Sequence, residues 1–353
     1  MSVKLGLIGV GAIGQTHLAA AKAAGVEVAG LADINDKLGK RIGAEHKIPL
    51  VTDDPHELIK SDSIDAVIVG VPNKLHAPLT IAALEAGKDV LVEKPMAMNV
   101  EQCRQMNAAA KKHNRILQVG FVSRYSAVGA AAKKYVDAGR LGHVYHVKTA
   151  YYRRRGIPGL GGWFTTKAMS GGGPLIDLGV HLIDLAMYLM GSPKPVRVSG
   201  KVYANFGPRM KDYVYESMWA GPPNYSGVFD VEDAAHALVR FNGGTTLELN
   251  TTWAGNFCED ALPGGIALFG DRAGLSFKLG GSALRIATED QGHNVDITPA
   301  LRTAEQFREQ VTYFAGCVEN RRQPHANGAS GELVQSIIDA IYESSRLDRE
   351  VEM

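Results

Sequence analysis

Residues 3–33 read VKLGLIGVGAIGQTHLAAAKAAGVEVAGLAD, and this stretch decides the fold of the first part of the chain. The apolar run over 3–10 predicts a buried parallel strand. An Ala-rich helix over 15–24, a second strand over 26–32 and Asp33 follow it. Strand, G-x-G-x-x-G, helix, strand and acid is the order that a dinucleotide-binding unit requires.

The glycine loop supplies the first candidate binding residues. Gly9 permits the tight turn, Gly11 lets the backbone approach a pyrophosphate, and Gly14 lets the helix pack on the sheet. The helix N-terminus then faces the negative charge. The loop residues expected to bind the cofactor are Gly9, Gly11, Ala12, Ile13 and Gly14. A glycine-rich turn that binds nothing is the alternative, and the elements on either side of the loop disfavour it.

Asp33 bears on which nicotinamide cofactor is bound. It lies about 20 residues after the last glycine, where a carboxylate accepts hydrogen bonds from ribose hydroxyls. The following residues, Ile34-Asn35-Asp36, contain no arginine to attract a 2′-phosphate. The sequence therefore predicts NAD(H) in preference to NADP(H).

The alternation of strands and helices continues to residue 121 and predicts a doubly wound parallel sheet. Ligands of such sheets bind at the carboxyl ends of the strands. Apolar strands over 65–71 and 89–92 are followed by Pro72-Asn73 and by Glu93-Lys94-Pro95. Lys94 is a candidate for stabilising a developing alkoxide, with a solvated surface lysine as the alternative. His76 is a candidate for lining the cofactor or substrate, with packing at a helix start equally compatible.

The second part of the chain predicts a different sheet. Residues 144–152 alternate and are rich in β-branched and aromatic residues, which is typical of a strand. Further strands are predicted at 197–204, 235–241, 245–253, 265–270 and 274–279. Their short connections, among them a hairpin turn at Gly243-Gly244, favour a mostly antiparallel sheet. Residues 205–232 are irregular and aromatic, and helices at 303–320 and 330–346 close the chain.

Residues 171–191 read GGGPLIDLGVHLIDLAMYLMG and predict an apolar helix that ends at Gly191. Asp177 and His181 interrupt its apolar face and, four residues apart, are expected on the same side. A carboxylate beside an imidazole fixes its tautomer, which suits a general acid–base. An ordinary ion pair on a core helix is the alternative. Asp184 is a second possible partner, but we expect it to be a carboxylate on the helix surface.

Composition excludes several classes of protein. The formal net charge of +1 in 353 residues gives no signal for nucleic acid or a membrane surface. We identify no signal peptide and no apolar run of the roughly 18 residues that span a membrane. Cys103, Cys258 and Cys317 are odd in number and far apart, and no metal-ligand spacing is evident. A cytoplasmic protein without a metal is the simplest interpretation.

The chain resembles the glucose-fructose oxidoreductase/inositol dehydrogenase family (Gfo/Idh/MocA) over nearly its whole length. The resemblance rests on GVGAIG at 9–14, VPNKLH at 71–76, EKP at 93–95, QVGFVSRY at 118–125 and GGGPLIDLGVH at 171–181. It implies a Rossmann domain over 1–122. It also implies a substrate-binding and oligomerisation domain over 123–353, α/β with a large open sheet, whose C-terminal helix packs back on the first domain. Homodimers or homotetramers are implied as well.

The resemblance also assigns roles. It implies that Lys94, Asp177 and His181 form the catalytic set, that Glu93 and Pro95 lie on the nicotinamide side, and that the Lys94–Pro95 bond is cis. The remaining expected cofactor-binding residues are Pro72, Asn73, His76, Glu93 and Gln118. Tyr152, Arg153, Arg155 and Trp163 are candidates for substrate contacts, and a solvated basic loop is the alternative for the arginines.

The predicted function is reversible hydride transfer between NAD(H) and a carbinol carbon of a sugar, polyol or sugar derivative. His181 is expected to act as general base, Asp177 to orient it and Lys94 to hold the reacting oxygen. One alternative is an NAD-dependent glycoside hydrolase or eliminase that oxidises its substrate transiently. The other is a regulator that binds NAD or a sugar without turnover.

Overall fold

The structure is a computed structural model that describes residues 3–215, 218–258, 262 and 264–353. Its contacts divide the chain into two compact units, each of which is described by itself. The first contains residues up to 125 together with 305–335, and the second contains 126–304 and 336–353. The sequence-based division at residue 122 differs in assigning 305–335 to the second part.

The first unit is built on a six-stranded parallel sheet with the order β3-β2-β1-β4-β5-β6. Reversal of the strand order beside β1 is the switch point at which such sheets bind ligands. The predicted doubly wound sheet is confirmed. Its strands are β1 (Lys4–Ile8), β2 (Glu27–Ala32), β3 (Leu50–Thr52), β4 (Ala66–Val69), β5 (Asp89–Val92) and β6 (Leu117–Val119).

Helices connect these strands and begin at side chains that cap them. Asn35, Asp54 and Asn99 each accept a backbone N–H of the first turn that follows. The helices are α1 (Ala12–Ala24), α2 (Asp36–His46), α3 (Pro55–Lys60), α4 (His76–Glu85) and α5 (Val100–Lys112), with short 3₁₀ turns at Asn73–Leu75 and Val122–Tyr125.

The second unit contains a nine-stranded sheet with the order β14-β13-β12-β11-β7-β10-β9-β8-β15. Neighbouring strands are antiparallel apart from the parallel pair β7 and β10, so the predicted mostly antiparallel sheet is confirmed. Its strands are β7 (Val144–Tyr152), β8 (Pro195–Tyr203), β9 (Ala234–Phe241), β10 (Thr246–Thr252), β11 (Gly265–Gly270), β12 (Ala273–Phe277), β13 (Arg285–Asp290), β14 (His293–Ile297) and β15 (Val351–Glu352).

The hairpin between β9 and β10 was predicted from the sequence, whereas three strands of this sheet were not. Gly243 and Gly244 have φ values of 89° and 91°, so the hairpin between β9 and β10 forms where predicted. The strands β13, β14 and β15 were not predicted. β13 and β14 are mostly exposed and polar, and a strand of that kind lacks the apolar alternation that marks a half-buried one.

The apolar segment around Asp177 departs from the single α-helix that was predicted. Leu175–Gly179 forms a π-helical turn, and α8 (Val180–Met190) continues from it to Gly191, whose φ is 76°. A π turn widens the helix by one residue and changes the direction of its side chains. Two other helices of the unit are α6 (Ala127–Asp137) and α7 (Lys167–Ser170), with 3₁₀ turns at Trp163–Thr165 and Gly207–Asp212.

Two helices close the chain, α9 (Gln306–Glu319) and α10 (Gly328–Leu347). Val311 and Phe314 of α9 are fully buried in the same apolar cluster as Leu7 of β1 and Leu18 of α1. This packing places α9 in the first unit. α10 begins in the first unit and ends in the second.

The stretch Lys167–Met190 is long and apolar enough to cross a membrane, with a mean hydropathy of 1.3, although no such run was identified from the sequence. In the structure, 83% of its apolar window is buried inside the protein. Burial in a protein core accounts for the same composition, so the stretch is weak evidence for a membrane span.

Candidate active site

The glycine loop between β1 and α1 has the geometry that its sequence predicts. Gly9 has a φ of 87°, and a Cβ there would lie 2.4 Å from the carbonyl oxygen of Gly70. A Cβ on Gly14 would lie 2.0 Å from the carbonyl oxygen of Gly9. A Cβ on Gly11 would meet no heavy atom within 4 Å among the described residues. Gly9 and Gly14 are therefore required by the turn, whereas Gly11 faces open space.

The start of α1 fits the pyrophosphate of a dinucleotide. Gly11 precedes the helix, and no side chain of the described residues caps its first turn. The first amide groups of an α-helix have no partner within the helix and attract an anion. Ala12 and Ile13, which carry two of these amides, are exposed and half-buried.

Asp33 directly follows β2, and its carboxylate contacts the backbone of the glycine loop. Its Oδ2 accepts the backbone N–H of Val10 at 2.7 Å, and its Oδ1 accepts that of Asn35 at 2.8 Å. Each carboxylate oxygen has a further lone pair, so Asp33 can still accept a bond from a ribose hydroxyl. The half-buried carboxylate is thus fixed beside the loop before any ligand binds.

A buried pair formed by Glu93 and His17 supports the backbone of Lys94. Glu93 Oε1 is 2.7 Å from Nε2 of His17, a fully buried residue of α1. Glu93 Oε2 accepts the backbone N–H of Lys94 at 3.1 Å. Burial raises the pKa of Glu93, but the hydrogen bond and charge of His17 and the charge of Lys94 outweigh it, so the pKa is lowered. Glu93 is therefore an ionised carboxylate that joins α1 to the backbone of Lys94.

Removal of His17 should destabilise the first unit strongly. His17→Ala leaves the Glu93 carboxylate buried without its partner, which typically costs about 3–5 kcal/mol. His17→Gln should lose less, because its amide can still donate. The measurement is the free energy of unfolding in urea. Lys40→Ala, which breaks the exposed pair with Asp36, is the control and should have no measurable effect. Equal stability of His17→Ala and Lys40→Ala would contradict this prediction.

The other residues expected around the cofactor follow β4, as Pro72, Asn73 and His76 do, or lie within β6, as Gln118 does. His76 is buried, with Nδ1 2.7 Å from the carbonyl oxygen of Pro95 and Nε2 2.8 Å from that of Val71. Burial lowers the pKa of His76. Pro72 is half-buried and Asn73 is buried. Gln118 is fully buried, and its amide has no hydrogen-bond partner among the described residues. Cofactor contacts for these residues remain predictions.

Lys94 itself follows β5 and is half-buried, and its bond to Pro95 is cis, as the resemblance implies. The backbone N–H of Lys94 donates to the Glu93 carboxylate. The carbonyl oxygen of the following residue, Pro95, contacts the His76 ring. Because both neighbours are buried, the backbone that carries the lysine side chain is fixed.

The second unit contains Asp177 and His181. Asp177 is buried, and its Oδ2 accepts the indole N–H of Trp253 at 2.9 Å. His181 is half-buried near the start of α8, most of whose residues are buried. Asp184 is also buried, at 1% exposure, so the expectation of a surface carboxylate is wrong. The apolar residues around it on α8 pack into the interior of the unit, and Asp184 is carried inward with them.

Glu232 fixes the turn that leads to Asp177. Its Oε1 accepts the backbone N–H of Leu175 at 3.1 Å and the hydroxyl of Tyr342 at 2.9 Å. A Cβ on Gly172 would lie 1.9 Å from the Tyr342 hydroxyl, and one on Gly173 would lie 2.0 Å from the Glu232 carbonyl oxygen. The glycines before Pro174 are therefore needed for close approach of this pair. Burial raises the pKa of Glu232.

The expected substrate residues divide between two surroundings. Tyr152 lines a cavity of about 640 Å³ with Phe206, Arg209 and Phe257. The guanidinium of Arg155 donates to the carbonyl of Gly255 and to Oδ1 of Asn256, at 2.9 and 2.7 Å.

The other two candidates, Arg153 and Trp163, contact neighbouring residues of the protein. Arg153 donates to the carbonyl of Gly156 at 3.3 Å and lies 5.2 Å from the Tyr151 ring centroid. Trp163 is half-buried against Phe164. Arg153 and Arg155 thus both donate hydrogen bonds to groups of the protein itself, which weakens the case that they recognise an anion.

Several residues that hold the site were missed from the sequence: His17, Glu232, Trp253 and Tyr342. His17 lies on the inner side of α1, three residues after Gly14 and four before Ala21, both buried, and a polar residue on an apolar face is a usable signal. The other three lie 57 residues or more from the segment they support, and nothing local marks them.

The fold and the dinucleotide loop define a nicotinamide-dependent oxidoreductase, and comparisons with known proteins agree. Residues 3–121 match the oxidoreductase family with an NAD-binding Rossmann fold, and residues 130–276 match the GFO/IDH/MocA C-terminal domain. The chain belongs to this Gfo/Idh/MocA family of oxidoreductases, and NAD is its cofactor.

Relatives include dehydrogenases of sugars and polyols. The chain is 31% identical to D-glucoside 3-dehydrogenase of Escherichia coli (strain K12), over 86% of this chain and 83% of the relative. It is 28% identical to scyllo-inositol 2-dehydrogenase (NAD⁺) of Bacillus subtilis (strain 168), over 91% and 88%. The structure of aldose-aldose oxidoreductase from Caulobacter crescentus, complexed with glycerol, matches all of both chains at 26% identity with a TM-score of 0.84.

Proposed function

We propose that this protein transfers a hydride reversibly between NAD(H) and a carbinol carbon of a sugar, polyol or sugar derivative. The observation that carries the proposal is the buried carboxylate of Asp177. It lies four residues before His181 and accepts a hydrogen bond from the indole of Trp253. A fixed carboxylate followed by a half-exposed imidazole is suited to moving a proton to and from a hydroxyl. The names of the relatives support the substrate class.

The residues of this chain have separate roles in the proposed reaction. His181 takes the hydroxyl proton during oxidation and returns it during reduction, and Asp177 sets its orientation. Lys94 holds the reacting oxygen, because an ammonium stabilises the negative charge that develops on it. The nicotinamide, when bound, accepts or donates the hydride. The amides at the start of α1 and the Asp33 carboxylate hold the dinucleotide in place.

Asp33 should make NADH bind more tightly than NADPH, by about tenfold or more. Two like charges about 4 Å apart repel by about 1–4 kcal/mol near a protein surface, and 1.4 kcal/mol corresponds to about tenfold in affinity. Asp33→Asn should narrow this ratio. Asp36→Asn is the matched control, because it removes an equal charge from an exposed residue nearby. Fluorescence titration with both cofactors measures the ratio, and tighter binding of NADPH by the unaltered protein would contradict the prediction.

The test of the proposed function is an absorbance assay for NADH formation. The protein is incubated with NAD⁺ and a panel of glucosides, inositols, other polyols and sugar acids, with His181→Ala in parallel. NADH that forms only when His181 is present supports a dehydrogenase. Product formation without net NADH would favour the transient oxidation of a glycoside hydrolase or eliminase. Tight NADH binding with no product in any assay would favour a regulator.

Other features of the proposed function concern its setting. We place the protein in the cytoplasm as a homodimer or homotetramer, with no nucleic-acid or membrane partner. The near-neutral charge and the widely spaced cysteines support this setting, and the family resemblance supports the oligomer. Light scattering on the purified protein measures the oligomeric state directly.

Tyr152, Arg153, Arg155 and Trp163 stay candidates for substrate contacts.

A further inference from the structure

The Trp253 side chain lies just beyond β10 and is fully buried in the second unit. Its Nε1–H donates to Oδ2 of Asp177 at 2.9 Å. The indole nitrogen is a donor only and has no lone pair to accept a proton or a hydrogen bond. The Oδ2 atom of Asp177 is therefore the acceptor in this contact, whatever the state of the residues around it.

The backbone and the surroundings of Trp253 hold the indole in place. Its backbone N–H donates to the carbonyl of Asp233 at 2.9 Å, and its carbonyl accepts the N–H of Gly156 at 2.8 Å. The ring lies in an apolar cluster with Ile157, Phe164 and Leu178. Close packing allows little rotation of a ring of this size, so the donor occupies one position.

The acceptor is fixed by separate contacts. The backbone N–H of Asp177 donates to the carbonyl of Gly173 at 3.0 Å, within the segment that Glu232 holds at Leu175. The π-helical turn over Leu175–Gly179 sets the direction of the carboxylate. Single π turns inside helices are frequent at functional sites, where they change the direction of a side chain. The donor is thus held by the segment that follows β10, the acceptor is held by the π-helical turn, and the two meet at Oδ2.

We propose that Trp253 is a positioning residue for the acid–base pair, an inference that rests on the proposed function. The indole N–H holds Oδ2 of Asp177, so Oδ1 remains the oxygen that orients His181. A hydrogen bond to a charged group is worth more than a neutral one and is directional. Loss of the donor would let the carboxylate turn, and His181 would present the wrong geometry to the substrate hydroxyl.

The test replaces the N–H without changing the shape. Benzothienylalanine, a tryptophan isostere with sulfur in place of N–H, is introduced at position 253, and Trp253→Phe is made as a second variant. We expect kcat to fall by about 10- to 100-fold, the range that one hydrogen bond to a charged group supplies. The KM for the substrate and the Kd for NADH should change less than about twofold. Ile157→Val removes packing from the same cluster, keeps the N–H and should retain kcat.

A second measurement separates positioning from packing. The isostere is introduced into Asp177→Ala, where no carboxylate is left to orient. The further loss in kcat should then disappear, because residues that act as a unit are not additive. An equal loss in both backgrounds, or an unchanged kcat with the isostere in the unaltered protein, would overturn the proposal. Unchanged turnover in Asp177→Ala alone would overturn the catalytic roles of the proposed function as well, and so identifies that failure.

Discussion

His181→Ala is expected to lower turnover by about 10²–10⁴-fold, the contribution typical of a general acid–base. His181 is the half-buried imidazole four residues after the fixed Asp177 carboxylate, and the proposed function assigns to it the exchange of a proton with the substrate hydroxyl. Its removal leaves the proton to water, which is a much weaker base than imidazole. NADH affinity should be retained, because the dinucleotide loop lies in the first unit and not in the second.

The measurement is kcat from NADH absorbance on the best substrate of the panel. His293→Ala is the control, because His293 lies exposed on β14, and its turnover should equal that of the unaltered protein. A weak external base such as imidazole should restore part of the activity of His181→Ala. Turnover of His181→Ala within about twofold of the unaltered protein would show that another group moves the proton.

Lys94→Ala is the second large effect, with an expected fall in turnover of about 10²–10³-fold. Loss of a single donor to a developing oxyanion has an effect of this size in other enzymes. The backbone of Lys94 is held by Glu93 on one side, and Pro95 on the other lies against His76, so truncation should leave the local structure in place. A small primary amine in the assay should restore part of the rate.

Lys112→Ala is the matched control for Lys94→Ala, because Lys112 is an exposed lysine in the last turn of α5 of the same unit. Its turnover and NADH affinity should equal those of the unaltered protein. A rise in KM with kcat unchanged in Lys94→Ala would show that Lys94 binds the substrate equally in the ground and transition states. That result would remove Lys94 from the chemical step.

Much of the fold could be predicted because its signals are local. The parallel strands of the first unit are short apolar runs, and the helices between them have Asn or Asp caps. The hairpin at Gly243-Gly244 was found from its two glycines alone. The exposed strands β13 and β14 have no such pattern, and α9 joins the first unit through Val311 and Phe314, whose partners lie about 300 residues earlier in the chain.

The candidate site divides in the same way. The glycine loop, Asp33, Lys94, Asp177 and His181 were chosen from motifs and spacing. What fixes them was not visible: Trp253 is 76 residues from Asp177, and His17 is 76 residues from Glu93. The single α-helix predicted across Asp177 and His181 is wrong for its first turn, because local periodicity does not reveal that Glu232 and Trp253 hold a π turn there.

The sequence by itself determined the dinucleotide loop, the parallel sheet and the residue types of the proposed acid–base pair, Asp177 and His181. These depend on backbone freedom at glycine and on apolar periodicity, and both are properties of neighbouring residues. The tertiary structure alone decided which oxygen of Asp177 is held, that Glu93 pairs with His17, and that Asp184 is buried. Hydrogen bonding and burial depend on which distant groups meet, and chain folding brings those groups together.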